Sequence, residues 1–359
     1  MIALARACCS GFFSLLLLLS FSSTTHATDT VRLESVLVGL QYPWAMAVDD
    51  DGLIYFTERS GKLTRFDPAR NKVMAIFSVP PPRAQAEAGM MGLALDPDFD
   101  DNGLLYICYS TRNAENGGIN RLSRFRLDSQ RLTEETILFD NMPGSGYHNG
   151  CRVIVAPDGE YLFFSMGDAG RAGMAQAPDY AGGKIFRLAL DGSTPRDNPF
   201  PGLATWSFGH RNPQGLRFRP GTDELWSTEH GPDTQDELNL IEKGANYGWP
   251  ICRGTDQCTA LTGYHPAVAE FDHGDTVAAS NLIFYSGKAY PQWTGNILFV
   301  TLKTGRLYRL VLKGDKVVRT DILLDGTYGR LRDIVEAPDG TIYVSTDNGE
   351  DSILRLVPQ

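Results

Sequence analysis

The sequence predicts an all-β protein, a six-bladed β-propeller whose antiparallel blades surround a central channel. One phrase of sequence recurs six times, beginning near positions 45, 93, 153, 216, 282 and 334. Glycine and proline are numerous, with 37 and 20 copies in 359 residues. No convincing helical periodicity interrupts the repeats, so a turn-rich fold of strands is favoured over a helical one.

Each copy of the repeat has the pattern of a β-hairpin. An apolar run leads to a turn carrying Asp, Gly or Asn, and a second run rich in Tyr, Phe and Val follows, as in VIVAPDGEYLFFSMGD near position 153. Asp-Gly between alternating apolar runs is a strong hairpin signal. A small antiparallel sheet cannot bury both of its faces alone, whereas six sheets stacked around an axis cover one another and leave only short edges.

The two ends of the chain predict how the ring closes. The last copy offers about three strands, and residues 31–38 alternate like a strand before the first copy. We expect this first segment to pair with the last blade, so that residues 28–359 form one propeller domain. Two separate β-domains are the alternative, but no linker-like stretch divides the copies.

Residues 1–27 have the pattern of a signal peptide. Arg6 is followed by an apolar run at 11–21, which is too short to span a membrane, and residues 25–27 resemble a small-residue cleavage site. An uncleaved anchor is the alternative. Cleavage predicts a periplasmic or secreted protein without membrane insertion. It removes one of 33 basic residues, so 32 face 43 acidic ones and the net charge of −11 argues against nucleic acid as a partner.

The four remaining cysteines fall into two pairs. Cys252 and Cys258 bracket a loop-like stretch and could close a small ring, a bond that the sequence leaves open. Cys108 and Cys151 lie in strand-like runs and are expected in the buried core. The absence of a Cys-x-x-Cys motif argues against zinc.

A histidine and a carboxylate flank the hairpin of the third copy. His148 immediately precedes its first strand and Asp168 follows its second. Antiparallel strands bring these two positions to one end, where a carboxylate beside an imidazole makes a general base. A loop histidine and a capped turn are the alternatives.

Further along the chain, cationic and oxygen-rich segments follow the repeats. Arg211, in GHRNPQG, could hold an anion or form an ion pair between blades. Residues 229–250 are acidic, rich in oxygen-bearing side chains and contain glycine turns, a composition that suits calcium, although a solvated loop has the same composition.

Arg330 and Arg332 are two apart and would point the same way in a strand. With Arg211 and Lys303 they would suit a small polyanion; a solvated face is the alternative.

Several of these segments together resemble a known family. The motifs GMMGLALDPDF, GKIFRLALDG, GHRNPQGL, DELNLIEKGANYGWP and LRDIVEAPDG occur in an order similar to the soluble glucose/sorbosone dehydrogenases, with the periplasmic aldose sugar dehydrogenases most alike. The resemblance extends over about residues 40–355. It implies a propeller that oxidises aldoses to lactones with pyrroloquinoline quinone and calcium, and passes electrons to a diffusible or membrane acceptor as a monomer or homodimer.

The resemblance also implies roles for individual residues. His148 is similar to the base that takes the proton of the anomeric hydroxyl while hydride passes to the quinone. Asp168 resembles the carboxylate that supports this base, and Arg211 resembles the cation beside the quinone oxygen. The remaining groups that would hold the cofactor are Glu87, Asn212, Thr276, Lys303, Arg330 and Arg332.

The same resemblance implies two calcium sites, and the sequence departs from the family pattern at two positions. Gly231 and Pro232 look like the carbonyl ligands of the cofactor's calcium, and Glu237 and Tyr247 like ligands of a structural calcium. Glu87 and His230 both stand where the glucose-oxidising members carry glutamine. A carboxylate near a tri-anion is unfavourable unless it is protonated or turned toward Arg211.

Two other classes of protein share this fold. A calcium-dependent propeller lactonase would need a metal held by carboxylates and Asn at the mouth, and would not need Lys303, Arg330 and Arg332 together. A non-catalytic extracellular binding propeller would not need the histidine–carboxylate pair. A propeller fold does not by itself decide among these functions.

Overall fold

A computed structural model describes residues 30–79, 84–115, 117–128, 131–255, 258–271 and 274–359. The strands in these ranges are β1 Val31–Leu40, β2 Pro43–Val48, β3 Ile54–Glu58, β4 Lys62–Asp67, β5 Lys72–Ser78, β6 Met90–Leu95, β7 Leu104–Arg112, β8 Gly118–Leu127, β9 Leu132–Pro143, β10 Val153–Val155, β11 Tyr161–Met166, β12 Lys184–Ala189, β13 Thr205–Phe208, β14 Pro213–Phe218, β15 Leu225–Glu229, β16 Asp236–Ile241, β17 Ala269–Phe271, β18 Ala279–Phe284, β19 Ile297–Thr301, β20 Arg306–Lys313, β21 Lys316–Asp325, β22 Leu331–Glu336, β23 Ile342–Thr346 and β24 Asp351–Pro358. Helical structure in these ranges is limited to α1 Phe99–Asn102 and the 3₁₀ turns Ala172–Gln176 and Pro291–Trp293.

These strands form six four-stranded antiparallel sheets, which confirms the predicted six-bladed propeller. Five blades take four consecutive strands each, from β2–β5 to β18–β21. The sixth has the order β1-β24-β23-β22. The first segment of the chain therefore pairs with the last, as predicted, in a register that runs from Val31 opposite Pro358 to Leu40 opposite Asp351.

The core lies between the faces of neighbouring blades. The second strands β3, β19 and β23 are buried along their whole length, whereas the outermost strand β5 is largely exposed. One apolar cluster joins Tyr55 of the first blade to Tyr106 of the second and Phe164 of the third. This interlocking explains why a blade needs its neighbours, because each buries one face of the next.

The Asp-Gly turns of the repeat have the backbone that the hairpins require. Gly52, Gly159 and Gly340 each follow an aspartate and have φ values of 82°, 72° and 89°. This left-handed conformation is strained for residues with a Cβ atom, so glycine at the turn sets the hairpin that the apolar runs flank.

All four cysteines described here are disulfide-bonded. Cys108 and Cys151 are fully buried, as predicted, but they form a bond with a Cα–Cα distance of 5.5 Å that joins β7 of the second blade to the segment entering the third. The expectation of two plain core cysteines was incomplete, because the repeat gives no register between neighbouring blades. Cys252 and Cys258 are also bonded, which answers the question that the sequence left open.

The predicted signal peptide at residues 1–27 lies outside the described residues. Within the described ranges, the structure contains no helix with the length and apolar character that a membrane span requires.

Candidate active site

The predicted site residues share one end of the propeller. The first strand of every blade lies innermost, beside the first strands of its neighbours. Each of these strands begins at the same mouth of the channel. The residues at or just before these starts are Trp44, Glu87, His148, Asn212, Thr276 and Arg330. Loops after the second strands return to this mouth, because the strands are antiparallel.

His148 and Asp168 meet as the hairpin predicts. His148 lies before β10 and Asp168 after β11, and the His148 Nδ1–Asp168 Oδ1 distance is 2.7 Å. The backbone of His148 is left-handed, with φ of 57°, which aims the ring across the hairpin end. An ionised carboxylate only accepts hydrogen bonds, so Nδ1 carries the proton and Nε2 presents its lone pair.

Asp168 is held as a buried, ionised carboxylate. Its side chain is almost completely buried, and it accepts hydrogen bonds from the Gly170 amide at 2.8 Å and the Trp249 indole Nε1 at 2.8 Å. Burial alone would raise the pKa of Asp168, but hydrogen bonds, first from His148 and then from the Gly170 amide, leave that pKa below its ordinary value. The dyad therefore has a negative partner ready to stabilise an imidazolium.

Arg211 lies beside the dyad on the segment that enters β14. Its backbone amide donates to Glu229, its Nη1 donates to the His230 carbonyl at 3.3 Å, and its guanidinium lies 5.4 Å from the Trp249 ring centroid. Burial lowers the pKa of Arg211, yet a guanidinium keeps its charge in proteins. A partly desolvated cation beside a base is suited to an oxyanion or carboxylate.

A small cavity opens between these loops. It is lined by Trp44, Glu87, Met91, Asn149, Gly150, Gln214, His230, Leu302 and Arg332. His230 lies in the wall of this cavity. Burial of its ring, and to a smaller extent the charge of Arg332, lower the pKa of His230 to about 3. The neutral ring has its Nε2 buried without a hydrogen-bond partner among the described residues, as expected where a polar ligand completes the wall.

Asn212 and Gln214 connect the dyad side of the cavity to its cationic side. The Asn212 Oδ1 accepts from the Gly150 amide at 3.2 Å and from Gln214 Nε2 at 3.0 Å. Gln214 in turn accepts from Arg332 Nη1 at 3.0 Å. This chain of bonds fixes the orientation of both amide side chains.

The two arginines near the end of the chain, Arg330 and Arg332, differ from each other in burial. Arg332 is buried and donates two hydrogen bonds to Asp347, one of 2.8 Å from Nε. Arg330 lies before β22 and is exposed, so the two arginines do not share a strand face. The expectation of a common direction required both arginines to lie in one strand, but the strand begins at residue 331 and only Arg332 belongs to it. Arg59 approaches the same carboxylate, with 3.7 Å between Arg59 Nη2 and Asp347 Oδ1.

Lys303 and Thr276 lie on loops of the fifth blade at the same mouth. Lys303 follows Leu302 of the cavity wall and forms an exposed ion pair with Asp275. The Thr276 hydroxyl donates to Asp236 Oδ2 at 2.6 Å. Both side chains therefore have protein partners that an arriving anion would have to share or displace.

Glu87 is not turned toward Arg211. Its carboxylate Oε2 accepts the backbone N–H of His148 at 3.0 Å, and its own amide donates to the Gly146 carbonyl at 3.1 Å. The negative charge of Glu87 thus lies at the edge of the cavity, where it supports the strained backbone of the base.

A second cavity lies behind Arg211 and contains all four predicted calcium ligands, Gly231, Pro232, Glu237 and Tyr247. The carbonyl oxygens of Gly231 and Pro232 accept no hydrogen bond from the described residues. Tyr247 uses its hydroxyl to donate to Leu240 O at 2.5 Å, which leaves its carbonyl as the oxygen available to a metal.

The acid–base state of this second cavity also suits a cation. Burial, followed by the charge of Glu229, raises the pKa of Glu237 to about 8. Two buried carboxylates in one place favour a bound cation that would keep both ionised. Among the described residues no three His, Cys, Asp or Glu side chains cluster as a metal site, so the oxygen donors here are mainly backbone carbonyls, which calcium accepts.

Sequence reasoning assigned no role to several residues of the site, among them Trp44, Arg59, Gln214 and Trp249. Gln214 and Trp249 lie inside motifs that carry the family resemblance, GHRNPQG and NYGWP, and this was the available signal. Trp44 lies in the repeat strand β2 and Arg59 in the turn after β3, and neither gave a signal, because their place at the mouth follows from blade geometry.

The fold and site define a class, a six-bladed propeller with a histidine–carboxylate dyad and cationic side chains at one mouth of its channel. Residues 40–355 match the family model described as glucose/sorbosone dehydrogenase. The chain belongs to this family of sugar dehydrogenases.

Named relatives are similar over most of their length. Aldose sugar dehydrogenase YliI of Escherichia coli is 31% identical over 97% of this chain and 99% of its own. Quinoprotein glucose dehydrogenase B of Acinetobacter calcoaceticus is 29% identical over 87% and 84%. The structure of the PQQ-bound aldose sugar dehydrogenase of Streptomyces coelicolor superposes with a TM-score of 0.81 at 30% identity, covering 92% of this chain and 98% of that one.

Proposed function

We propose that this protein is a quinoprotein dehydrogenase that oxidises the anomeric carbon of aldose sugars to lactones with pyrroloquinoline quinone. The observation that carries the proposal is the 2.7 Å contact between His148 and Asp168 beside the partly buried guanidinium of Arg211. A base, its orienting carboxylate and a cation at one mouth suit removal of a hydroxyl proton next to a centre that gains negative charge.

The residues present fit the cofactor. A planar tricarboxylate needs cations and hydrogen-bond donors around a cavity, and the unpartnered His230 Nε2 and the arginines supply them. The residues that would hold it are Arg211, Asn212, Thr276, Lys303, Arg330 and Arg332, with Glu87 at the edge. When bound, the quinone would accept the hydride that leaves the anomeric carbon.

The protein's own residues would manage the proton. The free Nε2 of His148 takes the proton of the anomeric hydroxyl, so that the carbonyl of the lactone forms as the C–H bond breaks. Asp168 stabilises the resulting imidazolium through the Nδ1 hydrogen bond, and Arg211 stabilises negative charge on the far side. His148 then returns its proton to water through the exposed mouth.

Calcium would bind at two places in this proposal. The carbonyls of Gly231 and Pro232 would hold the cofactor's ion, and Glu237 with the Tyr247 carbonyl would hold a structural one. The signal-peptide pattern of residues 1–27 supports export, and a diffusible or membrane electron acceptor would complete the cycle.

The test uses the mature chain purified without cofactor. Pyrroloquinoline quinone and calcium are added singly and together, and dye reduction is followed with several aldoses. We expect sugar-dependent reduction only with both additions, and a loss of at least about a hundredfold in kcat/KM in His148→Ala. Calorimetry should show that this variant still binds the cofactor. Absence of binding at micromolar quinone in the wild-type protein would refute the proposal and make lactone hydrolysis the next assay.

A further inference from the structure

We propose that Trp249 is a positioning residue for the base, because its indole N–H holds Asp168 and thereby sets the orientation and proton affinity of His148. This inference rests on the proposed function, in which His148 takes a proton from the substrate. Neither the sequence motif nor the resemblance assigned a role to this tryptophan.

The two carboxylate oxygens of Asp168 accept hydrogen bonds from different donors. Oδ2 accepts the indole N–H of Trp249 at 2.8 Å, while Oδ1 accepts from His148 at 2.7 Å and from the Gly170 amide at 2.8 Å. With Oδ2 taken, the carboxylate cannot rotate without losing a buried hydrogen bond. Oδ1 is therefore kept in line with the imidazole.

Trp249 is itself fixed by its backbone. Its amide donates to the Gly209 carbonyl at 2.8 Å, and its carbonyl accepts from Gln176 Nε2 at 2.7 Å. The face of the indole lies 5.4 Å from the guanidinium carbon of Arg211. One side chain thus contacts both the carboxylate of the dyad and the cation next to it.

The chemical consequence follows from how a hydrogen bond changes a carboxylate. A donor on Oδ2 disperses the negative charge of Asp168, so the carboxylate attracts the His148 proton less strongly. Without that donor, Asp168 would hold the imidazolium form of His148 more firmly. A larger fraction of His148 would then be protonated at neutral pH and unable to act as a base.

The other groups that face the dyad are not altered by the substitution of Trp249. Glu87 bonds the His148 amide, the Tyr147 ring lies 4.8 Å from the His148 ring, and Arg211 and His230 lie on the neighbouring segments. None of them bonds the indole N–H. A change confined to that N–H therefore reports on Asp168.

The test compares Trp249→Phe with Trp206→Phe. Trp206 is a matched control, because its Nε1 is buried without a partner among the described residues. The titration of His148 is followed by NMR of histidine-labelled protein free of cofactor. We expect the midpoint of His148 to rise by about half a pH unit or more in Trp249→Phe and to stay at the wild-type value in Trp206→Phe.

Kinetics separate this role from a structural one. In Trp249→Phe, kcat/KM should fall by about threefold or more on the acid limb of the pH profile and recover at high pH, because the midpoint of that limb has moved up by the same half pH unit or more. Loss at every pH with an unmoved midpoint would overturn the proposal. In an Asp168→Asn background, the tryptophan substitution should no longer move the midpoint.

Two further outcomes are distinguishable. If Trp249→Phe does not fold, benzothienylalanine at position 249 replaces the N–H with sulfur at nearly unchanged shape, and the same upward shift is expected. A shifted midpoint in a protein that oxidises no sugar would support the positioning role and refute only the proposed dehydrogenase activity. An identical titration in both tryptophan variants would refute the positioning role whatever the activity.

Discussion

At the scale of single residues, Glu87 has two opposed effects. Its carboxylate supports the His148 backbone through a 3.0 Å hydrogen bond, but it also places a negative charge at the cavity that would receive a tri-anion. Glutamine keeps an acceptor for that bond and removes the charge. The resemblance implies glutamine at this position in glucose-oxidising relatives, so the substitution is compatible with the fold.

We expect Glu87→Gln to bind pyrroloquinoline quinone about fivefold more tightly, because one charge repulsion at such a partly exposed site is worth about 1 kcal/mol. Calorimetry on the cofactor-free protein measures this, and the gain should shrink as salt is added. Glu160→Gln, at an exposed hairpin turn of the third blade, is the matched control. Equal affinities for Glu87→Gln and wild type would contradict the expectation.

Lys184 is a buried cation that the proposed chemistry does not use. It is fully buried in β12, its ammonium donates to the carbonyls of Ala175 at 2.9 Å and Gly182 at 2.7 Å, and burial lowers the pKa of Lys184 to about 7. The unfolded chain would lose this proton only near the ordinary lysine value. Between these two values the unfolded state holds more protons, so the free energy of unfolding rises with pH.

We therefore expect wild type to gain stability from pH 7 to pH 10 relative to Lys184→Met, by up to about 1.4 kcal/mol per pH unit. Below pH 7 both states of wild type are protonated and the difference between the proteins should be constant. Urea unfolding at a series of pH values measures this. If the free energies of unfolding of the two proteins changed in parallel with pH over the whole range, the backbone carbonyls would be keeping Lys184 charged in the folded protein.

At the scale of elements, the β10–β11 hairpin positions the dyad and a disulfide anchors it. Cys151 lies three residues after His148, and its bond to Cys108 fastens this segment to the second blade. The two cysteines are 43 residues apart, whereas Cys252 and Cys258 are 6 apart. A longer closed loop restricts the unfolded chain more.

Removing the two disulfides should have unequal effects. On the chain-entropy argument, Cys108→Ala with Cys151→Ala lowers the free energy of unfolding by about 4 kcal/mol, and Cys252→Ala with Cys258→Ala by about 2 kcal/mol. Denaturant unfolding of the two double variants compares them directly. Equal losses, or a larger loss for the short loop, would contradict this account.

At the scale of the whole molecule, stability depends on closing the ring. β1 covers the edge of β24, and its buried Val31 and Leu33 join the apolar cluster between the fifth and sixth blades. Without β1, the last blade would have three strands and an exposed edge.

A chain beginning at Gln41 should therefore melt well below one beginning at Thr30, by about 10 °C or more, and should aggregate on heating. The chain beginning at Thr30 keeps β1 and is the matched control for removal of the residues before it. Calorimetric melting of both measures the effect. Coincident melting temperatures would mean that closure contributes little.

The sequence by itself determined the six blades, the pairing of the first segment with the last, and the meeting of His148 with Asp168. The blades and the dyad depend on the two-residue period of strands and on hairpins that bring nearby segments to one end, and such local rules act within about 20 residues. The pairing of the first segment with the last follows instead from the number of strands, because the last copy of the repeat offers only about three. The motifs of the family resemblance added the cations and the oxygen-rich loop.

Only the tertiary structure decided the Cys108–Cys151 bond, the different burial of Arg330 and Arg332, and the hydrogen bond from Trp249 to Asp168. Each depends on how neighbouring blades are placed against one another, or on the residue at which a strand begins. Contacts between blades join segments far apart in the chain, and no periodicity within a repeat specifies their register. The polar partners of the site are therefore set by packing of the ring, which the repeat pattern predicts only in outline.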